Sequence, residues 1–223
     1  MVVLEHRVKT LLALDQNALT KGFYHIRSVY FDDYHRTCVK RNEDGTDQRV
    51  KYRIRTYNVA QDKIVLEKKE KVHGMTRKFQ CELSKEQAGT LLLGNILSME
   101  KSEFDLYPQV LKELLVLMKT RGLKPCMIVS YDRIPYIYKE GNVRITFDQN
   151  IAASTRIEDF FEESLEVRPI LPLNQQLMEL KYDEYLPQTI KKVLEIGRLR
   201  QMTFSKFYLC SRLKDPYGIM VRK

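Results

Sequence analysis

The segment RVKYRIRTY, residues 49–57, constrains this chain more than any other. Arg49, Lys51, Arg53, Arg55 and Tyr57 alternate with Val50, Tyr52, Ile54 and Thr56. A period of two sends successive side chains to opposite faces of a β-strand, so one face is cationic and the other is built for a core. Four cations on one strand face repel one another unless an anion sits among them. The segment therefore predicts both a half-buried strand and a negatively charged ligand.

The pattern recurs. KIVLEKKEK sets Glu67, Lys69 and Lys71 against Ile64, Leu66 and Lys68. NVRITFD sets Asn142, Arg144, Thr146 and Asp148 against Val143, Ile145 and Phe147. LMELKYD sets Glu179, Lys181 and Asp183 against Met178, Leu180 and Tyr182. MTFSKFYL, whose lone charge is Lys206, reads as another strand, as do IRSVYFDD and CMIVSYDRIPYIY, rich in β-branched and aromatic residues. At least seven strands are predicted.

Helical signals lie between them. EFDLYPQVLKELLVLMKTRG aligns Phe104, Tyr107, Leu111, Leu114, Leu115 and Met118 on one stripe, with Gly122 as its C-cap. SKEQAGTLLLG opens with Ser84 and Gln87 in capping-box spacing and closes on Gly94. PQTIKKVLEIG opens on Pro187, in the first helical turn, and ends on Gly197. The acidic stretch from Glu158 to Glu166 reads as a surface excursion. Without repeats or a Pro/Gly/Ser linker, a single domain over residues 1–223 is the simpler organisation.

The charge is concentrated as well as patterned. Lys and Arg outnumber Asp and Glu by 38 to 29, and the stretch from Arg49 to Gln80 holds ten cations against three carboxylates. A soluble protein with that excess has a polyanion or a phosphate compound as its natural partner. Cys38, Cys81, Cys126 and Cys210 have no metal-ligand spacing and read as free thiols of a reducing compartment. The longest uninterrupted apolar run, Leu114 to Met118, falls far short of the ~20 residues a membrane span needs. No signal-peptide core precedes the first elements. A cytoplasmic location is expected.

Strands with one charged and one apolar face admit two architectures. An open antiparallel sheet turns the charged faces to water with helices on the other side; a closed barrel turns them inward around a polar tunnel. Faces carrying Arg, Lys and a few carboxylates, in place of the usual mixture of Ser, Thr and Gln, favour the tunnel.

The runs YHIRSVYFDD, RVKYRIRTYN, KIVLEKKEK, GNVRITFDQNI, LMELKYDEYLP and FSKF, in that order from about Tyr24 to Ser211, resemble the polyphosphate polymerase domain of the vacuolar transporter chaperone (VTC) proteins. That family belongs to the triphosphate tunnel metalloenzymes. The resemblance implies an α+β fold, with an antiparallel β-barrel tunnel and peripheral helices. It implies transfer of the ATP γ-phosphate to a growing polyphosphate chain, with Mn²⁺ or Mg²⁺. By position, Arg53 and Arg55 match the phosphate-gripping RxR pair, Lys69 the lysine of the following strand, and Lys78 the next basic residue. Arg144 matches the arginine of the VRxTxD strand and Lys206 the lysine of the SK motif. Glu179 matches the metal-holding glutamate, with Glu67 and Asp148 as assisting carboxylates. The family's opening RxExKY strand has no counterpart here; LEHRVKTLLALDQNA matches the helix that follows it.

Phosphoryl transfer suits such a kit, because its transition state is loose and needs positioning and charge more than a protein nucleophile. Ser28 and Ser205 have no triad partner in sequence. His6, His25, His35 and His73 are scattered and read as surface or core residues, and Tyr30, Tyr131, Tyr136 and Tyr138 as strand core. Two other functions share the same residues: a polyanion-binding module without turnover, and a triphosphate hydrolase. Nucleic acid is not the expected partner, since these cations share a face with carboxylates rather than interleaving with aromatics.

Overall fold

The computed structural model of the chain describes residues 2–58, 60–96, 101–172, 174–195 and 202–213. Gly197, expected to close a helix, lies outside them. In chain order the elements are α1 (Val2–Leu11), β1 (Ala13–Leu14), β2 (Tyr24–Asp32), α2 (Thr37–Glu43), β3 (Arg49–Tyr57), β4 (Ala60–Val72) and β5 (Met75–Leu83). There follow α3 (Lys85–Leu93), α4 (Gln109–Arg121), β6 (Lys124–Tyr138), β7 (Val143–Ser154), β8 (Arg168–Pro169), β9 (Leu177–Lys181), α5 (Gln188–Leu194) and α6 (Lys206–Arg212). The fold class is antiparallel α+β, as expected.

The residues pack as two compact units. The first comprises Met1–His25, Tyr131–Ile151 and Leu171–Phe204; the second comprises Ile26–Ser130, Ala152–Ile170 and Ser205–Lys223. In the second unit β5, β4, β3 and β2 follow one another in that order, and β8 pairs with β7 at Ala152 and Ala153. The apolar faces of β2, β3 and β4 supply Val29, Phe31, Tyr52, Ile54, Ile64 and Leu66 to a core completed by α3 and α4, through Ala88, Leu91, Leu111, Leu114 and Met118. With that face covered by helices, the alternate residues of β3 and β4 must point the other way.

Helix ends follow local chemistry. The Ser84 side chain accepts from the Gln87 N–H and the Gln87 side chain reaches back, forming the predicted capping box on α3. Gly122 ends α4 at φ 62°, where glycine carries no Cβ penalty. The helix expected to begin near Phe104 begins instead after Pro108. A proline disfavours helical backbone in the residue before it, so a 3-10 turn over Lys101–Leu106 precedes the helix. Phe104 and Tyr107 still pack against the same core.

Two elements depart from the sequence reading. β5 was not anticipated: it pairs with β4 through a two-residue turn at His73 (φ 49°) and Gly74 (φ 75°), a conformation that matches strand twist. Asp47 clamps that turn by accepting from both backbone N–H groups, at 2.7 and 2.9 Å. MTFSKFYL forms no strand. Ser205 accepts from the Tyr208 N–H and starts α6, whose buried Phe207, Cys210 and Ser211 follow helical spacing. The acidic excursion is also anchored: Phe160 is buried, and Arg27 donates to the carbonyls of Phe160 and Glu162, at 2.8 and 2.5 Å.

In the first unit β1 pairs with β6 and β9 with β7. Leu4 and Val8 of α1 and Leu12 just after it, with Ile190 of α5, pack on Tyr136, Val143, Ile145 and Phe147. The first described element is a helix, α1. Among the described residues no helix is long and apolar enough to cross a membrane.

Candidate functional site

Strand register turns the second unit's cations into rows. Residues directly opposite in an antiparallel pair share a face. Lys51 lies opposite Lys69, and Lys69 opposite Lys78, so three ammonium groups line up across β3, β4 and β5. One row along, Arg49 faces Lys71; on the other side, Tyr30, Arg53, Glu67 and Gln80 form a row, and Ser28 faces Arg55. Like charges directly opposite destabilise a sheet. The arrangement is favourable when a polyanion lies along it.

The carboxylate of Glu67 organises this face. It is almost wholly buried and ion-paired to Arg53, to Lys78 at 2.5 Å and to Arg55 at 3.8 Å. Burial opposes its charge, but Arg53, Arg55 and Lys78 outweigh burial and hold its pKa down at about 2. Each arginine has a second anchor. Arg53 donates to the Tyr30 hydroxyl (2.9 Å) and Arg55 to the Ser28 hydroxyl (3.1 Å). Both guanidinium forks are therefore fixed in orientation before any ligand arrives. Arg53 keeps 21% of its side chain accessible and Arg55 only 8%, so Arg53 is the more direct contact.

Tyr30, expected to be simple core, is buried yet belongs to this face. Burial opposes ionisation of its phenol, but Arg53, Arg55 and Lys206 together hold the pKa below the usual value. Its ring stacks on Phe207 of α6 (4.6 Å between centroids). The helix thus brings Lys206, its first residue, near the phenol and the two arginines. Lys51 adds a link, donating to Asn42 Oδ1 (2.7 Å) and Ser205 Oγ (3.2 Å), and burial lowers its pKa. Arg53, Arg55, Lys69, Lys78 and Lys206 all belong to this one unit, as does Glu67.

Arg144 and Glu179 belong to the first unit. Arg144 donates to the Tyr24 hydroxyl (3.0 Å) and lies 3.7 Å from Asp15. Glu179 faces Thr146 across the β7–β9 pair and lies 3.7 Å from Arg133 and 3.2 Å from Lys181. Sequence reasoning passed over Arg133, which grips fully buried Asp148 with two bonds of 2.7 and 2.8 Å. Burial works against its charge, but Asp148, with Tyr131 and Tyr24, pushes the arginine's pKa up. The signal was present: a lone arginine in the long strand CMIVSYDRIPYIY needs a buried anion, and Asp148 is the carboxylate of the next strand. The Nε of Arg144 and the hydroxyl of Thr146 are buried without hydrogen-bond partners, which leaves polar capacity beside Glu179's strand.

The acidic residues divide sharply as metal ligands. Glu67 does not fit, because three cations already surround it and a dication would meet their repulsion. Asp148 does not fit either, both oxygens being held by Arg133. Glu179, 41% accessible with Arg133 at 3.7 Å and Lys181 at 3.2 Å, is the more open carboxylate; Mg²⁺ and Mn²⁺ are hard ions commonly held by one or two carboxylates, waters and the phosphates of a substrate. Among the described residues no group of three or more His, Cys, Asp or Glu forms a protein-only metal cage.

The antiparallel α+β fold thus carries a preorganised basic face on β3, β4 and β5. A family model for the VTC domain matches residues 1–213, and the chain belongs to that family. Two solved structures are similar to parts of it. A candidate adenylate cyclase from Bacillus halodurans shares 14% identity at a TM-score of 0.45, covering 86% of this chain and 91% of that one. A candidate adenylyl cyclase from Hippeastrum, with a dominant triphosphatase activity, shares 12% identity at a TM-score of 0.45, covering 87% and 78%. At those scores neither adds to the argument. No curated protein matches the chain.

Proposed function

We propose that this protein transfers the γ-phosphoryl group of ATP to the end of an inorganic polyphosphate chain. Membership of the VTC domain family supports a phosphoryl function on polyphosphate or triphosphate. The observation that carries the finer reading is the row Lys51–Lys69–Lys78 beside an Arg53–Arg55 pair already fixed by Glu67, Tyr30 and Ser28.

In this reading a terminal phosphate oxygen of the chain attacks the γ-phosphorus, and the bond from that phosphorus to the β–γ bridging oxygen breaks to release ADP. Charge develops on the peripheral oxygens, which guanidinium forks fixed in orientation are suited to meet. Lys69, Lys78 and Lys206 add point charges along the chain. For Arg144, of the first unit, a phosphate contact rests on the family resemblance alone. Glu179 would hold the Mn²⁺ or Mg²⁺, which would supply Lewis-acid neutralisation of phosphate charge. A cytoplasmic location is part of the proposal, in keeping with four free thiols.

The test is ATP labelled at the γ-phosphate, incubated with the protein and Mn²⁺. Label in a long polymer supports the reading. Label released as inorganic phosphate overturns it in favour of a triphosphate hydrolase. Label left in ATP, with tight polyphosphate binding, overturns it in favour of a binding module.

A further inference from the structure

A cavity lies in the second unit on the opposite side of β3 and β4. It is lined by Val50, Tyr52 and Lys68, the alternate residues to Lys51, Arg53 and Glu67 on those strands, so the sheet separates it from the basic face. Residues of α2, α4 and the turn before α4 complete the lining. Its volume of about 570 Å³ lies within the range of small-molecule sites. Phe104, Val116, Leu117 and Leu123 make an apolar wall.

The polar groups on this cavity are unequally satisfied. Glu113 accepts from Lys68 (2.8 Å), Tyr52 (3.1 Å) and Gln109 (3.2 Å), so its charge is fully answered. Asp33 is taken by the Thr37 N–H at the start of α2. Lys112 donates to the Asp105 carbonyl and lies 6.0 Å from the Phe104 ring centre. The guanidinium groups of Arg41 and Arg121 make no hydrogen bond or ion pair with the described residues. An apolar wall, an aromatic ring and two unanswered arginines on one cavity call for an anion on a hydrophobic body.

We propose that this cavity is a ligand site, separate from the basic face, for a small molecule that carries one anionic group on an apolar or aromatic body. The inference does not depend on the polyphosphate reading. A long inorganic polyanion has no apolar portion to place against Phe104, Val116 and Leu117, and an amphipathic acid has no use for three lysines in a row.

The probe is 8-anilinonaphthalene-1-sulfonate, an aromatic body with one sulfonate, titrated by fluorescence into the whole protein. One saturable site is expected. Val116→Trp fills the mouth from a half-exposed position and should weaken the probe at least tenfold, as should Arg41→Gln combined with Arg121→Gln. Circular dichroism checks that each variant keeps its fold. Saturating polyphosphate and Arg53→Ala should both leave the titration unchanged. A titration that does not saturate, that ignores the cavity variants, or that is displaced by polyphosphate overturns the proposal. The last result leaves the polyphosphate reading standing, and a failed polymerase assay leaves the cavity standing.

Discussion

Glu67→Gln lowers the free energy of unfolding by about 3 kcal/mol, because it strands the charges of Arg53, Arg55 and Lys78 around a buried amide. Urea denaturation at pH 7 measures the loss. Lys78 is half exposed, which keeps the figure at the lower end for a broken buried pair. A control at Glu166, an exposed residue of the acidic excursion, should change stability by less than about 0.5 kcal/mol. Long-chain polyphosphate should recover much of the Glu67→Gln loss, since it brings anions to the same cations; occupancy at about 100 times Kd returns roughly 2.7 kcal/mol. The native carboxyl titrates near 2 against an ordinary 4.5, so its folded pKa is depressed. Its stabilising contribution is complete above about pH 4.5 and is lost as pH falls toward 2. The variant should lack that part of the acid dependence. Equal stability of wild type and Glu67→Gln would mean that the four-residue cluster does not hold in solution.

Glu179→Gln has the larger effect on activity. Synthesis from ATP and Mn²⁺ should fall about 100-fold or more, the scale for removing one electrostatic element of a phosphoryl-transfer site. Affinity for polyphosphate should stay within about twofold, because the cations of the second unit are untouched and the substitution removes a negative charge. Stability should change little for a residue 41% accessible. The split is diagnostic. If activity and polyphosphate affinity fall together, Glu179 acts by holding Arg133 and Lys181 in place and the metal role is wrong.

Much of this was legible in sequence, for reasons that differ by element. Alternation at residues 49–57 and 63–71 placed Tyr52, Ile54, Ile64 and Leu66 in the core, because a strand has only two faces and water excludes one set. The caps of α3 and α4 were legible because Ser84, Gln87 and Gly122 act through their own local backbone. What escaped depended on partners far along the chain. β5 is exposed along most of its length and shows little hydrophobic alternation, so only the His73–Gly74 turn betrayed it. α6 was mistaken for a strand because a seven-residue helix spans too few turns to display its period. In sequence Glu67 reads alike as an assisting metal ligand or as a counter-ion, being a carboxylate among cations. Only the register that sets it opposite Arg53, one residue row from Lys78, distinguishes the two. Arg133 and Tyr30 were missed for the same reason: their importance comes from Asp148 and Arg53, on other strands.

The most direct test of the central claim is equilibrium binding of long-chain polyphosphate to the wild type and to Arg53→Ala at two ionic strengths. The account predicts tight binding that weakens steeply with salt. It also predicts a loss of about 10- to 100-fold in Arg53→Ala, the worth of charged hydrogen bonds from a fixed fork. Arg55→Ala, nearly enclosed, should lose less. Affinity that is unchanged by Arg53→Ala, or insensitive to salt, would contradict the assignment of this face to the phosphate chain.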